Sequence, residues 1–295
     1  MFLYIFMILL IVVVFIIYYL ELPRYYSINN YTKTKLYKLD LKYKDLPKIK
    51  SRCVISLTST PDRIHLITPT LCSILSQTKR VDEIALNIPY ESMKGVSYKI
   101  PKWLYRLTNV KIYRINKDLG PSTKLLPTAL RESKNTKIIV IDDDNIYGSK
   151  LVEILIKSFN KHNKHKKTAI TCYGSKIKST GFSRHKKFFG GGGSVDVLFG
   201  CGGYILTPSM LPKQIYNYNE SPEGSKFVDD NWISGWLRYN KVKIYMMGLK
   251  RGCNFFPSWQ SMDSISLSGS VNKNNKHEYK LNKYFIKLNK NDNRK

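Results

Sequence analysis

The chain opens on an unbroken apolar run. Residues 1–20 contain no charged side chain, no Gly and no Pro. About 20 apolar residues is the length a helix needs to cross a bilayer. A cleaved leader fits less well, because Tyr18-Tyr19-Leu20-Glu21-Leu22-Pro23 offers no small-x-small cleavage site. Residues 1–21 therefore read as a transmembrane anchor. Residues 22–50 are polar, rich in Tyr and Lys, and carry no apolar period, which predicts a stem.

From residue 51 onward short apolar runs alternate with helical spacing. Strands are expected at 53–58, 82–88, 110–114, 138–141 and 168–173. Helices are expected at 66–77, where Pro69 suits the first turn, from Gly120-Pro121-Ser122 to about residue 132, and at 149–160, where Leu151, Val152, Leu155 and Phe159 share one face. Strand–helix alternation predicts an α/β fold with a mainly parallel sheet and crossover helices. The second half is less regular. It holds a glycine run at 190–193, the segment 199–204, a helix near 230–239 and a late strand at 242–245. Residues 51–270 read as one domain and 271–295 as a basic tail whose last residues are frayed. No internal repeat is visible.

Composition changes this picture little. The net charge of +28 attracts anionic partners in general. The lysines are scattered, however, and A/T-rich codon usage accounts for abundant Lys, Asn, Ile and Tyr. No aromatic-and-basic nucleic-acid module is present, so no specific nucleic-acid partner is expected. The five cysteines (Cys53, Cys72, Cys172, Cys201, Cys253) have no metal spacing, and their odd number argues against a complete disulfide framework. The side of the membrane stays open. Arg24, Lys33, Lys35 and Lys38 after the anchor favour a cytosolic domain, whereas Asn30-Tyr31-Thr32 and Asn219-Glu220-Ser221 are formal glycosylation acceptors.

The chemistry concentrates at Asp142-Asp143-Asp144, directly after the apolar run Ile138–Ile141. Open α/β sheets bind ligands at the carboxyl ends of their strands. Three carboxylates there repel one another unless a positive charge joins them, and a hard divalent cation with oxygen ligands is the usual partner. An extended backbone would send Asp142 and Asp144 to one side and Asp143 to the other. A helix cap explains one of the aspartates but not three. Gly120-Pro121-Ser122-Thr123-Lys124 precedes a helix and lets Lys124 reach a phosphate, though an ordinary capped helix explains it equally well. Asp229 and Asp230 open the helix bearing Trp232 and Trp236; one of them, Asp230 ahead of Asp229, is a candidate base toward an acceptor hydroxyl, with an N-cap pair as the competing explanation. The run Gly190–Gly193 reads as a lid or a linker, and Gly202-Gly203 as a close backbone approach or a bulge. His277 is a weaker candidate metal ligand.

Taken in order, Ile55-Ser56-Leu57-Thr58-Ser59-Thr60-Pro61-Asp62-Arg63, Gly120-Pro121-Ser122-Thr123-Lys124-Leu125, Ile141-Asp142-Asp143-Asp144-Asn145-Ile146-Tyr147 and Asp229-Asp230-Asn231-Trp232 resemble GT-A-type (DxD) glycosyltransferases over about residues 52–250. The composition and the anchor are similar to those of membrane-anchored glycosyltransferases of giant DNA viruses. The resemblance implies a GT-A-like, Rossmann-type sheet, a nucleotide-diphosphate-sugar donor, Mn2+ or Mg2+, and a glycan, lipid or protein acceptor. It implies that Thr58, Ser59 and Arg63 line the base or ribose, that Asp142 and Asp144 hold ribose and metal-diphosphate, and that Asp229 or Asp230 lies near the acceptor. No carboxyl-terminal metal histidine of the family type is evident. Two alternatives share the acidic residues: a metal-dependent nucleotidyl- or phosphotransferase, against which the missing Walker and kinase motifs speak, and an inactive, membrane-tethered nucleotide-sugar-binding protein.

Overall fold

In this computed structural model residues 2–164, 166–181, 183–186, 192–248, 250–262 and 275–292 are described. The amino-terminal helices are α1 (Phe2–Tyr19), α2 (Leu22–Asn29) and α3 (Lys33–Tyr43). Then follow β1 (Cys53–Thr58), α4 (Thr68–Leu75), β2 (Glu83–Pro89), β3 (Val110–Ile115), α5 (Leu126–Arg131), β4 (Lys137–Val140), β5 (Asn145–Tyr147), α6 (Leu151–His162) and β6 (Thr168–Thr171). The second half supplies β7 (Gly174–Ile177), β8 (Ser183–Lys186), β9 (Gly193–Val195), β10 (Val197–Leu198), β11 (Tyr204–Leu206), α7 (Asp229–Tyr239), β12 (Lys243–Met246), β13 (Phe255–Pro257), α8 (Trp259–Met262) and α9 (Lys276–Asp292).

The main sheet has the order β3-β2-β1-β4-β11-β6-β12-β9. Strands β3, β2, β1, β4, β6 and β12 run one way, and β11 and β9 run the other. The sheet is thus mostly parallel with helices packed on it, and β1 and β4 lie side by side in its interior. Both are apolar and almost wholly buried, as strands covered on both faces must be. From β1 the chain winds outward through β2 to β3, then returns to place β4 on β1's other side. That reversal makes a topological switch point between the carboxyl ends of β1 and β4. The expected fifth strand does not adjoin β4, because the antiparallel β11 pairs with both β4 and β6 and separates them.

The stretch expected to be a stem folds instead as α2 and α3, docked on the domain. Ile28, Leu36 and Tyr43 are buried. Asp40, also buried, accepts the backbone N–H groups of Thr108 (2.7 Å) and Asn109 (3.1 Å). The buried face mixes Asn, Asp and Tyr with few aliphatics, so it carries no apolar period. Likewise α9 extends the domain through the expected tail. Phe285 of α9 is fully buried against Trp232 and Trp236, and a Cβ on Gly235 would come within 2.1 Å of its ring. Gly193 belongs to the edge strand β9 rather than to a lid, and Gly190 and Gly191 lie outside the described residues.

Helix α1 stands apart, with every side chain from Tyr4 to Tyr18 exposed. No single helix among the described residues is long and apolar enough to cross a membrane, but residues 4–19 of α1 together with α2, bent by 51°, pass by length and composition. The bend falls at Glu21, which has a left-handed φ of 55° and whose carboxylate takes the N–H of Ser149 at 2.9 Å.

Candidate active site

The aspartate triplet sits just past the end of β4, beside the switch point, in a bend rather than an extended continuation. The alternation expected for an extended segment therefore does not hold, and each carboxylate meets a different set of partners. Asp143 turns inward and is almost wholly buried. It accepts the Ser59 hydroxyl (2.5 Å) and pairs with the Arg63 guanidinium, while Thr70 donates to its carbonyl (2.8 Å). Asp144 shares the same guanidinium at 3.1 Å and takes the Asn145 amide at 2.7 Å. Asp142 takes a different partner, its Oδ1 lying 2.7 Å from Lys124 Nζ.

Lys124 joins the two halves of the chain. Its side chain is 5% exposed, and its ammonium lies 2.9 Å from Asp229 and 3.8 Å from Asp230, at the first turn of α7. The turn Gly120–Lys124 is held against α7 by Tyr218, which stacks on Trp232 at 4.5 Å and donates its hydroxyl to Ser122 at 2.8 Å. Gly120 makes this approach possible: its φ is 63°, and a Cβ would lie 2.6 Å from the Lys226 carbonyl oxygen.

The structure thus gathers Ser59, Arg63, Lys124, Asp142, Asp144, Asp229 and Asp230 around the carboxyl ends of β1 and β4. Thr58 spends its hydroxyl on the Asn87 carbonyl at 2.7 Å and meets none of these carboxylates. Lys124, expected to reach toward a phosphate, is instead enclosed by three carboxylates. His277 rests against Phe227, with its Nδ1 3.3 Å from the Glu223 carbonyl oxygen.

Three contributors went unread in the sequence. Tyr147 presents its hydroxyl to the Asp142 N–H at 2.9 Å. Tyr98 donates to the Ser59 carbonyl at 3.0 Å. Gly200 gives its N–H to Asp230 at 3.1 Å, and a Cβ there would lie 2.4 Å from Lys124 Nζ and 2.7 Å from Asp142 Oδ1. The glycine-rich segment 199–204 was the available signal, but Gly200, not Gly202-Gly203, makes the close approach to the charged groups.

The electrostatics follow from burial. Burial pushes Asp144 up to about 7, and the neighbouring Asp143 and Asp142 push the same way against Arg63 and Lys124. Burial also raises Asp230 well above the ordinary carboxylate range, with Asp229 adding to it and Lys124 opposing. Asp229 and Asp143 are raised by burial despite Lys124 and Arg63 respectively. Burial alone would depress Lys124, but Asp142, Asp229 and Asp230 outweigh it and hold the ammonium well above its ordinary value.

Among the described residues, five carboxylates face two fixed cations, an excess of three negative charges when all are ionised. The outermost, Asp142, Asp144 and Asp230, keep 26%, 28% and 21% of their side chains exposed. Among the described residues no three His, Cys, Asp or Glu side chains are arranged to hold a metal on their own. The donors fit a hard cation bound through one or two carboxylates and completed by substrate oxygens, not an all-protein cage.

No family model and no curated protein matches the chain. Among solved structures it is similar to "Crystal structure of GalNAc-T7 with UDP, GalNAc and Mn2+", with a TM-score of 0.49 and 10% identity, over 75% of this chain and 47% of that one. The chain spans about half the length of that protein.

Proposed function

We propose that this chain is a membrane-anchored, metal-dependent glycosyltransferase of the GT-A type, moving a sugar from a nucleotide-diphosphate sugar to an acceptor hydroxyl. The observation that carries the reading is the excess of carboxylate over fixed cation at the switch point, bordered by a second acidic pair on α7. The order of motifs along the chain supports the choice of a sugar over a phosphoryl group, since no Walker or kinase motif accompanies the acidic cluster. The bare apolar face of α1 supports the anchor, because 15 consecutive exposed residues from Tyr4 to Tyr18 need a nonaqueous surrounding.

Asp144, with Asp142, would hold Mn2+ or Mg2+, and the bound cation would supply Lewis acidity to a departing diphosphate. Arg63 fixes Asp143 and Asp144 to the segment after β1, so the acidic edge is preorganised. Lys124 fixes Asp142 to α7 and thereby sets the spacing between donor and acceptor sides. Asp230 is the base candidate. It is more open than Asp229, is oriented by the Gly200 N–H, and has a raised proton affinity suited to taking a hydroxyl proton. That role belongs to an inverting reaction; a retaining one would use the carboxylate differently.

The test is a thermal-shift screen of nucleotide sugars on the full chain in detergent, with and without Mn2+, followed by product analysis. A ligand that binds the native state alone raises the melting temperature. One donor should do so only with the metal, and its sugar should appear on an acceptor. Transfer of a phosphate-containing group, or full turnover in excess chelator, would overturn the proposal.

A further inference from the structure

Cys172 and Cys253, far apart in the chain, bring their sulfurs to 2.8 Å. That is well inside the contact distance of two non-bonded sulfurs. Both are held by backbone that is already committed. Cys172 directly follows β6 and gives its N–H to the Gly203 carbonyl at 3.1 Å. Cys253 gives its own to Lys250 at 3.1 Å, and its neighbours Gly252 and Asn254 accept the N–H groups of Lys150 (2.8 Å) and Gly148 (2.7 Å). The next residues pack as well, with the rings of Tyr173 and Phe255 5.8 Å apart. The two sulfurs need approach by only about 0.8 Å to reach the length of a disulfide bond.

We propose that Cys172 and Cys253 form a disulfide that ties the segment beneath α1 to the central sheet. Two Sγ–H bonds break and one Sγ–Sγ bond forms. The two electrons and two protons pass to a low-molecular-weight disulfide, which is reduced to two thiols. The cross-link has a definite mechanical place. Asn254 donates its side-chain amide to the Tyr19 carbonyl at 3.1 Å, where α1 ends. Gly148, bonded to Asn254, directly follows Tyr147, whose hydroxyl meets Asp142. Joining Cys253 to Cys172 thus fastens the base of α1 and the support of the acidic bend to β6 in one step. Disulfides persist in oxidising compartments, so the bridge favours a lumenal or extracellular domain over the cytosolic side suggested by the lysines after the anchor. One bridge leaves Cys53, Cys72 and Cys201 as thiols, consistent with the odd count.

The experiment is peptide mapping of the full chain, purified in detergent and equilibrated with oxidised glutathione. Free thiols are alkylated before digestion without reductant. The expected product is a single cross-linked pair of peptides carrying Cys172 and Cys253, lighter by two hydrogens than the sum of its parts and separated by reductant. The Cys201→Ser variant should retain it. Complete alkylation of both thiols, or a Cys172–Cys201 bridge in its place, would overturn the proposal. The wild-type map decides the matter whether or not a Cys253→Ala variant folds.

Discussion

Replacing Lys124 by methionine keeps most of the side-chain volume and removes the charge that holds Asp142, Asp229 and Asp230 together. At an effective dielectric of about 20, the contacts to Asp142 (2.7 Å) and Asp229 (2.9 Å) are each worth about 6 kcal/mol, and that to Asp230 (3.8 Å) about 4 kcal/mol. Those attractions are largely offset by the cost of taking an ammonium out of water. What the variant loses is the compensation of carboxylates that stay buried, a cost of about 3–5 kcal/mol. The loss must depend on pH. Asp229 and Asp230 already bind protons more tightly in the folded chain than in the unfolded one, and removing Lys124 strengthens that. A group whose folded pKa is raised contributes stability below its unfolded pKa and loses it as pH rises through the folded value. Lys124→Met should therefore be destabilised more at about pH 8 than at about pH 5, read as urea midpoints with unchanged slopes. Lys124→Arg should not rescue it, since Gly200 already lies against the ammonium with no room for a Cβ. A loss below about 1 kcal/mol that is the same at both pH values would refute the argument, because an exposed lysine costs that little.

Two further outcomes follow from the same geometry. Burial pushes Asp144 up to about 7 against an ordinary 3.8, so in chelated buffer its contribution to stability should fall as pH rises from about 4 through 7, by up to about 4 kcal/mol; denaturation midpoints should fall more steeply over that range in the wild type than in Asp144→Asn, whereas identical pH profiles would rule it out. Arg24 donates to the carbonyls of Tyr147 (2.7 Å) and Ser73 (3.1 Å) and to the Ser76 hydroxyl (2.9 Å), so Arg24→Ala should cost about 2 kcal/mol by leaving those acceptors unpartnered; a loss within measurement error would mean that α2 is a tether rather than part of the domain.

What could be read from the residues was governed by the range of the interactions. Strands β1, β2 and β4 announced themselves because each is buried on both faces and built of β-branched or aliphatic residues. Strand β11 did not, since Tyr204–Leu206 is three residues long and follows four residues of which three are glycine. Its pairing with β4 on one side and β6 on the other is a tertiary fact with no local trace. Helices α2 and α3 were missed for a related reason: Asn29, Asp40 and Tyr43 are buried with polar groups satisfied by distant partners, and a hydrophobic period cannot register such contacts. At the site, the residue types were legible and their partition was not. Three consecutive aspartates invite an alternating arrangement, but a bend lets adjacent Asp143 and Asp144 share Arg63 and turns Asp142 toward Lys124.

That partition carries its own consequence. Arg63 belongs to the segment after β1 and, among the described residues, pairs with carboxylates on the β4 side, so the edge it braces can form within the first half of the chain. For Lys124, Asp142 supplies one matching charge from the first half, but the ammonium is enclosed only when α7, from the second half, brings Asp229 and Asp230 against the turn at Gly120. A buried ammonium left with Asp142 alone would sit in a half-built, poorly compensated site. The acceptor-side carboxylates therefore contribute to the fold as well as to the proposed chemistry. Exchanging them for neutral residues should show its effect on stability through Lys124, in addition to any effect on turnover.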